Sequence, residues 1–365
     1  MVTSPSLTLC LIVRNERARL PACLESVRGL ADEIVVVDTG STDGTAELAR
    51  EAGARVLEIT WPDDFSAARN AGLELARGRW ILVLDADETL PPASREALRG
   101  IVAGPADHAC SLVQRNLLPE AAGHVSVAIV RLFPRHPRVR FERPIHEQVN
   151  TTLEREGIRI VDTDIPFVHT GYATAGALPA KNRRNRALIE GALARDPDGD
   201  PNLWFFHAAS FFDDGDHLRA ADLYAECARR SAGRRRRLEA AARIKQAECL
   251  WLAGRPAEAE RALPEGAETP HPLVCELKAA LADAGARVEE ARCWRERLLS
   301  CPDVAHLPPV ALGPMKLRAL NALAEHWAGR GRKDRAVKVL RLGLAAAHGR
   351  IDAAAAELGR AYAAA

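Results

Sequence analysis

The chain has almost no net charge to spend: 50 Lys and Arg stand against 49 Asp and Glu, a formal balance of +1. That excludes an overall field drawing it to nucleic acid or an anionic membrane, so such a partner would need a local patch. Long apolar runs are also missing. The longest, Leu7–Val13 and Trp80–Leu84, fall far short of a membrane span, and no basic segment followed by an apolar core opens the sequence. The eight cysteines form no Cys-x-x-Cys pair and sit mostly in apolar segments, so they read as reduced core residues. The turn Arg14-Asn15-Glu16-Arg17 lacks Gly-x-Gly-x-x-Gly, which excludes the backbone cradle of a nicotinamide dehydrogenase. The expectation is a soluble, cytoplasmic protein with no nucleic-acid partner and no transmembrane segment.

What is present is ample core material, 47% hydrophobic with 27% charged residues, in a chain of 365 residues, a length that suits two domains. From Leu7 to Leu84 short apolar runs alternate with helical patterns: Leu7–Val13, a helix near 18–27, Glu33–Val37, a helix from Thr45, Arg55–Ile59, a helix from Phe65, then Trp80–Leu84. This βαβαβαβ order predicts an α/β domain with a mostly parallel sheet. Further strand-like segments at Ala109–Gln114 and Val125–Phe133, a Pro- and Arg-rich loop over 134–144, and pieces near Ile158–Val161 and Phe167–Val168 predict an antiparallel extension. After Lys181 the pattern is helical. Trp204, Ala208, Phe211, Gly215, Ala220 and Tyr224 fall at the spacing of a two-helix repeat. Ala247, Leu250, Gly254, Ala259 and Leu263 repeat it, as do Leu320, Ala324, Trp327, Gly331, Ala336 and Leu340, while Leu277, Leu281 and Gly285 fit with a slip of one residue. The expected division is an α/β domain over 1–178 and an all-α tetratricopeptide-like repeat domain over 179–365, with an irregular helical bundle as the alternative for the second.

A parallel sheet binds ligands beyond the carboxyl ends of its strands, and here those ends carry Arg14-Asn15-Glu16, Asp38-Thr39-Gly40 and Asp85-Ala86-Asp87. Asp85 and Asp87 lie two apart in an extended segment, so both carboxylates can face one ligand. Two carboxylates there suit a hard divalent cation on the diphosphate of a sugar nucleotide, one binding metal and the other a ribose hydroxyl or a metal-bound water. Asp38 suits a base or ribose, while Ser41, Thr42 or Asp43 also suits capping of the next helix. Asn15 and Glu16 belong with the donor, although Glu16 reads equally as an ordinary first-turn acid. Arg69 can offset diphosphate charge or serve as a solvated helix position. The run Arg234–Arg237 has no aromatic platform beside it and reads as a solvated face.

Leu9–Glu16, Glu33–Thr45, Asp64–Asn70 and Trp80–Glu88 together resemble glycosyltransferase family 2, and the resemblance runs from about Ser6 to Tyr172. It is strongest toward bacterial proteins with the Asp-Phe-Ser-x-x-Arg-Asn block (Asp64–Asn70), Asp-Ala-Asp-Glu (Asp85–Glu88), Ile-His-Glu (Ile145–Glu147) and a tetratricopeptide tail. The resemblance implies a GT-A fold and a metal-dependent transfer from a nucleotide-diphosphate sugar, a UDP-sugar with Mn2+ or Mg2+. It places Asp38 on the base, Asp85 near the ribose, Asp87 on the metal and His169 as a further metal ligand. Some relatives glycosylate peptides or proteins, so a peptide, protein or glycan acceptor held by the repeats is expected. An inverting displacement needs a carboxylate to take the acceptor's proton. Glu147 is the choice for that base, with an ion pair to Arg143 or Arg140 as its alternative, and a hydrogen-bonded junction histidine is the alternative for His169.

Two other readings compete. Leu84–Leu90 also fits the nucleophile motif of haloacid-dehalogenase-like phosphatases, but that fold starts with this strand, whereas here a sheet precedes it. A catalytically inactive nucleotide-sugar-binding or protein-interaction scaffold is the other alternative, which the joint presence of Asp38, Asp85 and Asp87 disfavours.

Overall fold

The computed structural model describes residues 6–117, 124–171, 178–196, 198–264, 271–301 and 308–346. Contacts divide the chain after Gly199, and each unit has its own core.

The first unit opens with alternating strands and helices: β1 (Leu7–Val13), α1 (Leu20–Ser26), β2 (Glu33–Asp38), α2 (Thr45–Glu51), β3 (Arg55–Glu58), α3 (Phe65–Leu75) and β4 (Trp80–Val83). Strands β3, β2, β1 and β4 lie side by side and run parallel, as the alternating pattern predicts. Their near-continuous burial explains why they read as unbroken apolar runs: helices cover both faces of such a sheet. Close packing at the amino end of β4 depends on Gly78, where a Cβ would come within 2.6 Å of the Thr8 amide nitrogen.

Beyond β4 come β5 (Glu88–Thr89), α4 (Pro92–Ala103), β6 (His108–Leu117), β7 (His124–Pro134), α5 (Asn150–Arg155), β8 (Arg159–His169) and α6 (Leu178–Arg195). The eight-stranded order is β3-β2-β1-β4-β7-β6-β8-β5. The extension is mixed rather than purely antiparallel. β7 runs against β4, but β8 returns through α5 and lies parallel to β6, while β5 pairs antiparallel with β8. The β5 register sets Glu88 opposite His169, so a two-residue strand carries the acidic motif to the end of β8. A parallel half continued by a mixed half, with the acidic motif beyond β4, is the GT-A arrangement that the resemblance implies.

The second unit is helical: α7 (Pro201–Asp213), α8 (His217–Ser231), α9 (Arg236–Leu252), α10 (Pro256–Ala262), α11 (Pro272–Ala284), α12 (Val288–Leu299), α13 (Leu312–Gly329) and α14 (Lys333–Ala346). They pack as four consecutive pairs, α7/α8, α9/α10, α11/α12 and α13/α14. Ala208, Ala220, Tyr224, Ala247, Ala259, Ala324 and Ala336 are all fully buried, so the small residues of the repeat pattern sit where helices touch. The contact division falls after Gly199 and puts α6 with the sheet, some twenty residues beyond the boundary expected from the helical pattern alone. No described helix is long and apolar enough to cross a membrane.

Candidate active site

Three turns at the carboxyl ends of β1, β2 and β4 carry the residues expected on the donor side. The β1 turn is locked to the β2 turn: Asn15, with φ of 57°, accepts the Thr42 amide at 2.8 Å, and its own amide donates to Ser41 Oγ at 2.9 Å. Asn15 is thus engaged in shaping the loop. The Glu16 amide donates to Thr45 Oγ1 at 2.9 Å, while its carboxylate pairs with Arg19 at 3.2 Å. Burial pushes that carboxyl up against the pull of Arg19, and the nearby charges of Asp87 and Asp85 add to the push. Glu16 therefore stands beside the acidic motif.

Asp38 is 2% exposed. Its Oδ1 accepts the amides of Gly40 and Ser41 at 2.9 and 2.7 Å, whereas Oδ2 is buried without a partner among the described residues. An orphaned buried carboxylate oxygen is costly, which sets Asp38 apart from an ordinary turn-forming acid. Capping of α2 falls to its neighbour Asp43, which accepts the Thr45 amide at 3.1 Å.

Past β4, the two acidic side chains face different partners. Asp85 Oδ1 accepts from Arg69 Nη2 at 2.7 Å and Oδ2 from Arg131 Nη2 at 3.3 Å. Burial would raise its carboxyl, but Arg69 and Arg131 together hold it well below the usual range. Asp87 Oδ2 lies 3.2 Å from His169 Nε2. His169 Nδ1 is 2.6 Å from Asn116 Oδ1, an oxygen that can only accept, so the proton of this bond sits on Nδ1 and Nε2 is the nitrogen that faces the carboxylate. The amide and the hydroxyl of Thr170 both donate to the Asp87 carbonyl at 3.1 Å, pinning the end of β8 to the motif. At Gly171 a methyl group would lie 2.6 Å from His169 Nε2 and nearer still to Asp87 Oδ2. These two side chains border the space that Gly171 leaves; no third His, Cys, Asp or Glu joins them in a group that could hold a metal ion among the described residues.

The Asp-Phe-Ser-x-x-Arg-Asn block explains itself in space. Asp64 caps α3 by accepting the Ala67 amide at 2.9 Å, and the Phe65 amide donates to the Pro144 carbonyl at 2.9 Å. Ser66 Oγ donates to the Arg143 carbonyl, and Asn70 exchanges two bonds with the Phe141 backbone, at 2.8 and 3.0 Å. Each of these residues except the cap fastens segment 141–147 to α3. Arg69 completes the fastening through Nε to Glu147 Oε1 at 2.6 Å. Glu147 is thus paired with Arg69, not with Arg140 or Arg143 as its alternative reading had it.

Four participants had no role assigned to them from the sequence, although Glu88 closes the Asp-Ala-Asp-Glu motif. Arg131 on β7 bonds Glu88 Oε1 at 2.6 Å as well as Asp85, and Gln114 Nε2 donates to the same Glu88 oxygen at 2.6 Å. Glu88 Oε2 in turn accepts the Asp85 amide at 2.9 Å, so this fully buried acid orients the motif from behind. Burial, and then the neighbouring Asp85, push its carboxyl up against the pull of Arg131. Asn116 is the fourth. Their only signal was polarity within otherwise buried strands, which does not reveal a partner.

Among proteins of known sequence, residues 8–171 match the model of glycosyl transferase family 2. A TPR repeat-containing protein of Synechococcus elongatus is 42% identical over 172 residues, covering 45% of this chain and 42% of that one. The SPbeta prophage-derived glycosyltransferase SunS of Bacillus subtilis is 28% identical over 206 residues, 56% of this chain and 49% of its own. The chain therefore spans about half the length of the curated relatives it matches, or less. A solved mannosyltransferase of Pyrobaculum calidifontis, in complex with GDP-Man and Mn2+, is 20% identical across 87% of this chain and 88% of its own, with a TM-score of 0.43. With Asp38, Asp85, Asp87 and His169 gathered by the sheet, residues 8–171 are a glycosyl transferase family 2 domain.

Proposed function

We propose that this protein is a metal-dependent glycosyltransferase that moves a sugar from a nucleotide diphosphate, in the first instance UDP, to an acceptor by a single inverting displacement. The observation that carries this reading is the facing pair Asp87 Oδ2 and His169 Nε2, 3.2 Å apart beyond β4, in the same unit as the orphaned Oδ2 of Asp38. A carboxylate and an imidazole lone pair that close repel unless a cation or a proton lies between them, so the donor set fits Mn2+ or Mg2+. When bound, such an ion supplies charge stabilisation for the departing diphosphate. Asp87 and His169 hold it, and Asn116 keeps His169 in the tautomer that can. Asp38 Oδ2 accepts a hydrogen bond from the nucleotide base. Asp85 retains lone pairs beyond those given to the two arginines and takes a ribose hydroxyl. Glu147 Oε2, whose sister oxygen is held by Arg69, accepts the acceptor's proton as the new bond forms.

The acceptor in this reading is a peptide, protein or glycan bound by the helical pairs, since stacked hairpins offer a long continuous surface. The site's chemistry is tested by thermal shift with UDP-glucose, UDP-N-acetylglucosamine and GDP-mannose, each with and without Mn2+. A ligand that binds only the native state raises its apparent stability, so one donor should raise the melting temperature in the presence of Mn2+. Asp87→Ala should abolish that increment. No response to any donor would sink the reading.

A further inference from the structure

One side chain is shared by the two halves of the proposed chemistry. Arg69 is 7% exposed, on the second turn of α3, with its guanidinium carbon 5.5 Å from the Phe141 ring centre. Through Nη2 it holds Asp85 Oδ1 at 2.7 Å, and through Nε it holds Glu147 Oε1 at 2.6 Å. Nη1 is buried with no partner among the described residues, so none of them competes for the guanidinium as a third group. We propose that Arg69 is a positioning residue: its rigid fork sets the base Glu147 at a fixed place relative to the donor-side carboxylate Asp85, rather than binding the diphosphate.

The geometry supports this division in three ways. The two hydrogen bonds leave from two nitrogens of one planar group, so the directions to Asp85 and Glu147 are fixed together, which an ammonium on a flexible stem would not do. Glu147 uses only Oε1 on Arg69; among the described residues Oε2 has no hydrogen-bond partner and is not one of the buried unpartnered atoms, so one oxygen is anchored while the other is open. The remaining bonds of the block, from Phe65, Ser66 and Asn70 to the backbone of 141–144, bring Glu147 to Arg69 without needing the guanidinium. Arg69 is therefore not required merely to close the segment onto α3. Asp85 is braced on its other oxygen by Arg131, which keeps the reference point of this arrangement in place when Arg69 shifts.

The inference rests on Glu147 being the base in the function proposed above. The test is steady-state donor hydrolysis by the full chain with Mn2+, using whichever of UDP-glucose, UDP-N-acetylglucosamine and GDP-mannose the wild type hydrolyses fastest. Arg69→Met should lower kcat about a hundredfold or more, the scale of general-base catalysis, while donor KM and the Kd for UDP change far less. Glu147→Gln should lose as much, and the double variant no more than either single one, because the two residues act as a unit. Arg69→Lys keeps the charge without the fork and should stay impaired. If Arg69→Met does not fold, Arg69→Ala decides: added guanidinium should restore part of its kcat, and should do nothing for Glu147→Gln. Losses that multiply, or a UDP Kd that rises as much as kcat falls, would make Arg69 a donor ligand and overturn the proposal. An active wild type with an unimpaired Glu147→Gln variant would remove the base assignment, and this inference with it, while leaving the transferase reading intact. A wild type that neither binds UDP with Mn2+ nor hydrolyses any donor would remove both.

Discussion

A glycine explains more of the site than its small size suggests. Gly171 adopts no special backbone angle, yet a methyl group on it would stand between His169 Nε2 and Asp87 Oδ2. Gly171→Ala should therefore leave the fold in place but weaken Mn2+-supported UDP binding at least tenfold, about 1.4 kcal/mol, as read by titration calorimetry. Unchanged affinity would argue that the cation does not sit there. At the opposite end of the strands, Glu33 works for stability. Its carboxylate accepts Thr8 Oγ1 at 2.6 Å, the Arg77 amide at 2.8 Å and Arg55 Nη1 at 3.0 Å. Burial raises this carboxyl, but those three donors outweigh burial and hold it below its ordinary value of 4.5. A depressed acid stabilises the fold above its unfolded value and loses that contribution as pH falls through its folded one. Wild type should accordingly lose stability relative to Glu33→Gln from about pH 5 downward. Near neutrality the variant should be about 1–3 kcal/mol weaker, because it leaves buried donors unmatched. Urea midpoints across this range give the comparison, and parallel curves for the two proteins would contradict it.

Between elements, the sequence showed strands more clearly than the partners of side chains. The four parallel strands and their polar ends were legible because burial on both faces writes an unbroken apolar run, and because a doubly covered sheet binds at one edge. The placement of His169 against Asp87 depends instead on a two-residue β5 and on β8 running parallel to β6, pairings between distant segments that no local period encodes. Arg69 was readable as a charge near the diphosphate; its bond to Glu147, 78 residues on, was not. The helical pairs offer the opposite case. Gly215, Gly254 and Gly331 adopt φ of 81°, 74° and 71° in the turns within their pairs, but in α11/α12 the left-handed position is taken by Ala286, with φ of 54°, one residue after Gly285. The one-residue slip in the repeat pattern is thus a displaced turn. An alanine in that conformation costs roughly 1–2 kcal/mol, partly offset by the greater chain entropy that a glycine would lose. Ala286→Gly should then stabilise the helical unit by about 0.5–1 kcal/mol, visible as a higher urea midpoint. A lower midpoint would show that the turn carries no such strain.

At the scale of the whole molecule, the change of period from alternating runs to two-helix repeats was legible, and the exact seam was not, since α6 is helical in pattern yet belongs by contacts with the sheet. The core clusters are separate: those of the sheet unit end at Phe167, and that of the helical unit begins at Phe205. Two cores that share no residue favour two cooperative transitions over one. Calorimetry of the full chain should resolve them, and ligand and mutation should move different ones. UDP with Mn2+ at about a hundred times its Kd should stabilise the sheet unit by about 2.7 kcal/mol and leave the other transition where it was. Tyr224 is fully buried at the centre of the helical core, edge-on to Phe205 with ring centres 5.1 Å apart. Truncation to Ala there should cost the helical transition about 3–5 kcal/mol, as deletion of a large buried aromatic does. The nucleotide-dependent shift of the sheet unit should survive in that variant. If instead both transitions moved together under either change, the units would fold as one, and the helical pairs would have to be counted as part of what holds the donor site in shape.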